Sequence, residues 1–102
     1  MKKQENAYTR LMARTAQRYH AALADWNADR KNPFKDGRLL GWYEGRTLIQ
    51  ECQRQQKGAV ELRDALQQKL LRAKSEWKKD STNPFKDGRM LACFEVLQMV
   101  QP

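Results

Sequence analysis

The chain has 102 residues, of which 40% are hydrophobic and 31% charged, and twenty Lys and Arg against twelve Asp and Glu give a net charge of +8. This composition belongs to a folded protein rather than a disordered one, and the length allows one compact domain with little material for a deep catalytic cleft. No apolar run approaches the roughly 20 residues of a membrane span, no apolar stretch follows Lys2 and Lys3 as a secretory leader requires, and Cys52 and Cys93 stand at unrelated places, which argues against a disulfide framework. A cytoplasmic protein without membrane contact is expected, and the basic excess favours an anionic partner.

Residues 6–29 form the first expected helix, rich in Ala, Leu, Met, Gln and Arg and free of Gly and Pro. Tyr8, Leu11, Met12, Thr15, Tyr19, Ala22 and Trp26 step by three and four, building one buried stripe. Arg10, Arg14 and Arg18 lie four apart on one side, and no acid falls between Glu5 and Asp25. Ordinary solvated helix faces carry neutralising acids at i,i+4, so this bare row suits phosphate contact. His20 is the only histidine and has no second ligand at metal spacing.

Next comes Asn32-Pro33-Phe34-Lys35-Asp36-Gly37-Arg38, which recurs unchanged as Asn83-Pro84-Phe85-Lys86-Asp87-Gly88-Arg89, 51 positions later. At the same offset Trp26 meets Trp77, Leu11 meets Leu62, Ala22 meets Ala73, Asp25 meets Glu76 and Glu44 meets Glu95. The chain is an internal duplication. Within the repeated block, Asn in a left-handed conformation and Pro after it would close one helix. Asp36 and Asp87 are placed to cap the next, and Phe34 and Phe85 to plug the hairpin end. Turn chemistry leaves Lys35, Arg38, Lys86 and Arg89 unexplained, because cations in a first helical turn oppose the macrodipole. They are candidate anion contacts at the two hairpin tips.

The second helix is expected from about Gly37 to Lys57, where Gly41 and Gly45, four apart, permit close approach of another helix. Their equivalents are Ala92 and Val96, so the two hairpins cannot pack identically. Gly58 leaves two arrangements open. As a left-handed cap it gives a closed four-helix bundle; inside one long helix from 37 to 79 it gives an elongated molecule suited to dimerisation. The third helix, 59–79, holds Ala59, Leu62, Leu66, Leu70, Ala73 and Trp77 on one stripe, and the fourth, from about Gly88 to Gln101, offers Leu91, Phe94 and Leu97 flanked by Met90 and Val100. No segment shows the alternation of a strand. The fold class is therefore all-α, two tandem helix–turn–helix hairpins over 1–57 and 58–102 around one shared core.

No nucleophile–base pair, phosphate-cradling glycine loop or metal cluster is apparent, so neither an enzyme nor a cofactor is expected. The segment Tyr19-His20-Ala21-Ala22, with Trp26, Asn32-Pro33-Phe34 and Arg38-Leu39-Leu40-Gly41-Trp42-Tyr43-Glu44-Gly45, resembles the ribosome modulation factor family of small basic bacterial and phage proteins. The likeness covers about 30 residues of the first unit; in the second it shrinks to the turn, because Cys93 and Val96 replace Trp42 and Gly45. The resemblance implies an α-hairpin that binds ribosomal RNA and silences the ribosome, here in tandem. The competing expectation is a phage-encoded module that inhibits a host enzyme or defence complex through an acidic protein surface. It would display aromatic or Met side chains such as Trp42, Tyr43, Met90 and Met99 beyond what the core consumes.

Overall fold

The computed structural model describes residues 2–100, with side chains from residue 7 onward, as four helices: α1 (Lys2–Ala28), α2 (Pro33–Arg54), α3 (Ala59–Lys79) and α4 (Pro84–Val100). Among the described residues there is no strand, and the all-α bundle expected from the periodicities is what forms. The fourth segment's expected end at Gln101 lies outside the described residues.

Both repeated blocks start helices rather than separate them. Asn32 is the N-cap of α2, with extended backbone (φ −88°, ψ 107°), and its Oδ1 accepts hydrogen bonds from the Phe34 and Lys35 amides at 3.0 and 3.3 Å. Asn83 Oδ1 does the same for Phe85 and Lys86 at 2.9 and 3.4 Å. Each Pro therefore occupies the first helical position, where its missing N–H costs nothing and its fixed φ is already helical. This corrects two expectations: Asn is not a left-handed closure, and Asp36 and Asp87 are not caps but first-turn acids, which favour the helix dipole. The second and fourth helices begin four residues earlier than expected for the same reason.

Gly58 also resolves differently from either expectation about its backbone. Its φ of −78° and ψ of 176° are extended, and it is the N-cap of α3. The left-handed residue that closes the preceding segment is Gln56, at φ 58°. The chain thus breaks between α2 and α3, giving the closed arrangement. A continuous 37–79 helix would span about 64 Å at 1.5 Å per residue, whereas the longest dimension of the molecule is 44 Å.

At the centre α2 and α4 run parallel and in register at the repeat offset. A Cβ built on Gly37 would lie 1.9 Å from the Phe85 carbonyl oxygen, and one on Gly88 would lie 2.0 Å from the Phe34 oxygen. Further along, Gly41 faces Ala92 and Gly45 faces Val96. Backbone meets backbone near the turns because no side chain intervenes, and the facing residue then grows from Gly to Ala to Val. The two turns consequently lie side by side at one end. α1 packs antiparallel on α2 and α3 on α4, both outside the central pair.

One core serves both hairpins: Tyr8, Ala22, Trp42, Ile49 and Cys52 from the first and Leu62, Leu66, Ala92, Val96 and Leu97 from the second. Thr15 is fully buried beside them, its hydroxyl donating to the Leu11 and Met12 carbonyls, so it occupies a core position that Leu66 fills in the other repeat. The stripe of α1 is the one expected. That of α4 is so only in part: Leu97 is buried as expected, but Leu91 and Phe94 are exposed, and the rest of the buried face is Gly88, Ala92, Cys93 and Val96. Small residues that permit contact with α2 displaced the large ones that a hydrophobicity pattern selects.

Candidate anion-binding surface

The heptad cations were left over from turn chemistry, and the structure gives each an internal partner. Arg38 Nε reaches Glu95 Oε1 at 3.1 Å and its Nη1 lies 3.6 Å from Asp25 Oδ2. Arg89 Nε reaches Glu44 Oε1 at 2.8 Å and its Nη1 reaches Glu76 Oε2 at 3.2 Å. These are one motif used twice, since Arg38, Asp25 and Glu95 map at the repeat offset onto Arg89, Glu76 and Glu44. Each arginine crosses from its own hairpin to a carboxylate of the other, with two parallel N–H···O bonds to it, the geometry that makes guanidinium–carboxylate pairs strong. Lys35 and Lys86 lie 3.8 Å from Asp29 and Asp80, acids whose other contact is the Nδ2 of the capping Asn, at 3.2 and 3.1 Å.

A third donor completes each crossed pair. Trp42 Nε1 donates to Glu95 Oε1 at 3.3 Å, whereas Lys69 Nζ lies 3.3 Å from Glu44 Oε1. Burial pushes the Glu44 carboxyl up, but hydrogen bonds and charge from Arg89 and Lys69 outweigh it and hold the group below the ordinary carboxylate value.

The arginine row of α1 is divided. Arg18 is exposed, but its guanidinium lies 5.8 Å from the centre of the buried Trp42 ring, so it also covers the core. Arg10 and Arg14 are exposed, and among the described residues no carboxylate lies within 4 Å of either. Both border a groove of about 650 Å³ between the first half of α1, the start of α3 and the last turn of α4, floored by Leu11, Leu62, Met99 and Val100. In the second hairpin the corresponding positions of α3 are Glu61, Ala65 and Lys69, so the row belongs to one side of the molecule only.

A second group of cations escaped the sequence reading. Arg30 and Lys31, after α1, and Lys78 and Lys79, in the last turn of α3, are all exposed near the end where the two turns meet. Arg30 stacks 4.9 Å from the Trp26 ring centre and donates to Asn27 Oδ1 at 2.9 Å. Repeat logic passes over these residues because they are not repeated: Ser81 and Thr82 stand where Arg30 and Lys31 do.

Of the residues considered for protein contact, Trp42 is fully buried and Met90 and Met99 are half-buried, while Tyr43 is exposed. Leu71, Leu91 and Phe94, not anticipated, are exposed as well. His20 is exposed against the edge of Tyr19, with ring centres 5.7 Å apart. Cys52 and Cys93 are free and buried, and burial raises both thiols above their usual value, which disfavours the reactive thiolate. No protein-family model, curated protein or solved structure matches the chain.

Proposed function

We propose that this chain is a cytoplasmic, non-enzymatic binding protein of bacterial or phage type that contacts structured RNA, the ribosome above all, through the outer face of α1. The observation that carries the reading is the exposed row of Arg10 and Arg14, continued by Arg18, with no neutralising acid among the described residues. Internal pairing accentuates it. Asp25, Asp29, Glu44, Glu51, Glu76, Asp80 and Glu95 are each engaged by a cation of the same chain, so the charge left to face a partner is mostly positive. Arg30, Lys31, Lys78 and Lys79 extend the basic surface at the turn end. Arg38 and Arg89 are better suited to holding the hairpins together than to binding, since removing either strands a half-buried carboxylate.

The test is binding to ribosomal RNA across a salt series, with the Arg10→Ala/Arg14→Ala/Arg18→Ala variant beside the unaltered protein. Affinity should fall by about one log unit per phosphate contact for each tenfold rise in salt, and the triple variant should lower that slope by about three. A salt-independent affinity, or a variant with unchanged slope, overturns the reading. The exposed Leu91 and Phe94 favour a second one, docking of an acidic host protein, which predicts a partner recovered from lysate after nuclease treatment and lost in Leu91→Ser/Phe94→Ser.

A further inference from the structure

The groove beside Arg10 and Arg14 combines an apolar floor with a charged edge in a way that phosphate contact alone does not use. Its walls are Ala7, Tyr8, Leu11, Leu62, Met99 and Val100, with Gly58 and Ala59 at one end. The one neutral polar side chain among them is already engaged, because the Tyr8 hydroxyl donates to the Lys57 carbonyl at 2.7 Å. The carboxylate of Glu61 turns to the Gly58 amide at 3.3 Å. Among the described residues, Arg10 and Arg14 are then the only charged side chains that line it.

Such a lining discriminates between ligand chemistries. A nucleobase carries donors and acceptors around its edge and would lose them unpaired against these walls. A simple inorganic anion would use the guanidinium groups but leave the apolar floor wet. An unbranched alkyl chain satisfies the floor and needs one anionic head for the two arginines, and a volume near 650 Å³ falls within the range of about 300–1,000 Å³ that small-molecule sites occupy. We infer that this groove is a binding site for a free medium-chain fatty acid, its alkyl chain against Leu11, Leu62, Met99 and Val100 and its carboxylate between Arg10 and Arg14. The inference does not rest on the RNA reading.

Dodecanoate, kept below its micelle concentration, is the probe, titrated into the full chain and followed by calorimetry and by the methyl resonances of Met99, Leu11 and Val100. Saturable one-to-one binding that moves these methyl groups is expected. Arg10→Ala/Arg14→Ala, at exposed positions, should leave the thermal midpoint unchanged and weaken dodecanoate about tenfold or more while leaving uncharged dodecanol unaffected. Val100→Glu, which sets a carboxylate on the floor, should abolish both. Unsaturable uptake, shifts confined to other parts of the molecule, or an equal effect of the arginine variant on dodecanol overturns the inference. Because RNA affinity is measured in a separate assay without dodecanoate, failure of one reading leaves the other intact.

Discussion

The two hairpins solve one problem with different chemistry. Each offers a glutamate to an arginine of the other, and each glutamate takes a third donor. Where the first hairpin has Trp42, fully buried, the indole N–H reaches Glu95 and Arg18 covers the ring. The second has the smaller Cys93 there, and the space admits Lys69, the positional equivalent of Arg18, directly to Glu44. The difference teaches that the repeated contact is the carboxylate's coordination rather than any one residue. A bulky donor with its cation outside and a small residue with its cation inside are equivalent ways of supplying it. A similar exchange occurs where Arg46, its guanidinium 5.6 Å from the Tyr19 ring centre, stands in for Leu97.

The symmetry of the central pair can be broken most severely at its glycines. Gly37→Ala and Gly88→Ala should each cost about 3 kcal/mol or more, since the new Cβ meets a backbone oxygen that only separation of α2 and α4 can relieve. Gly41→Ala, 2.5 Å from Ala92 Cβ and 2.9 Å from the Arg89 oxygen, should cost about 2 kcal/mol, and Gly45→Ala, opposed by the Val96 side chain, about 1 kcal/mol. Gly58→Ala meets nothing within 4 Å and should cost only a few tenths of a kcal/mol, as a poorer cap. Urea unfolding of the five variants checks the order; similar losses at Gly37 and Gly58 would refute the close parallel approach.

Next in size is the crossed pair of Glu44. Glu44→Gln should lose about 2 kcal/mol at neutral pH, leaving Arg89 and Lys69 without their shared carboxylate. Because the folded pKa of Glu44 is depressed, its contribution is complete above the unfolded value near 4.5 and disappears as pH falls through the lower folded value. Thermal midpoints measured downward from pH 4.5 should therefore decline less steeply in Glu44→Gln than in the unaltered chain. Parallel curves would mean that the pair does not titrate with folding.

One modest effect has the opposite sign. Arg46 buries its Nε without a hydrogen-bond partner, and Arg46→Leu adopts the residue of the other repeat. A gain of about 1 kcal/mol is expected from removing the unsatisfied donor, read from the urea midpoint at unchanged slope. A loss would show that stacking on Tyr19 outweighs the stranded N–H.

Helix number, the α1 stripe, the α3 stripe apart from the exposed Ala59, and the duplication were all legible in the sequence, because they depend on spacing along one element. Besides the capping roles of Asn and Asp at the helix starts, what failed depends on another element. Leu91 and Phe94 look like a core face by hydrophobicity, but the parallel approach of α2 selects Gly88 and Ala92 instead. Arg38 and Arg89 had no visible partner because Glu95 and Glu44 lie in the other hairpin, 57 and 45 residues away. Arg10 and Arg14 retained their exposure, since a bare helix face is a local property.

The crossed arginine–glutamate pairs carry one more consequence. A surface whose acids and bases answer its own under a two-fold rotation is self-complementary, as in a symmetric homodimer. In such a dimer every substitution appears on both sides of the axis and must be accepted twice. Joining the hairpins through the Gln55–Gly58 segment lifts that constraint. Trp42 can then face a carboxylate on one side and Lys69 on the other, and an arginine row can be built along α1 without imposing the same charge on α3.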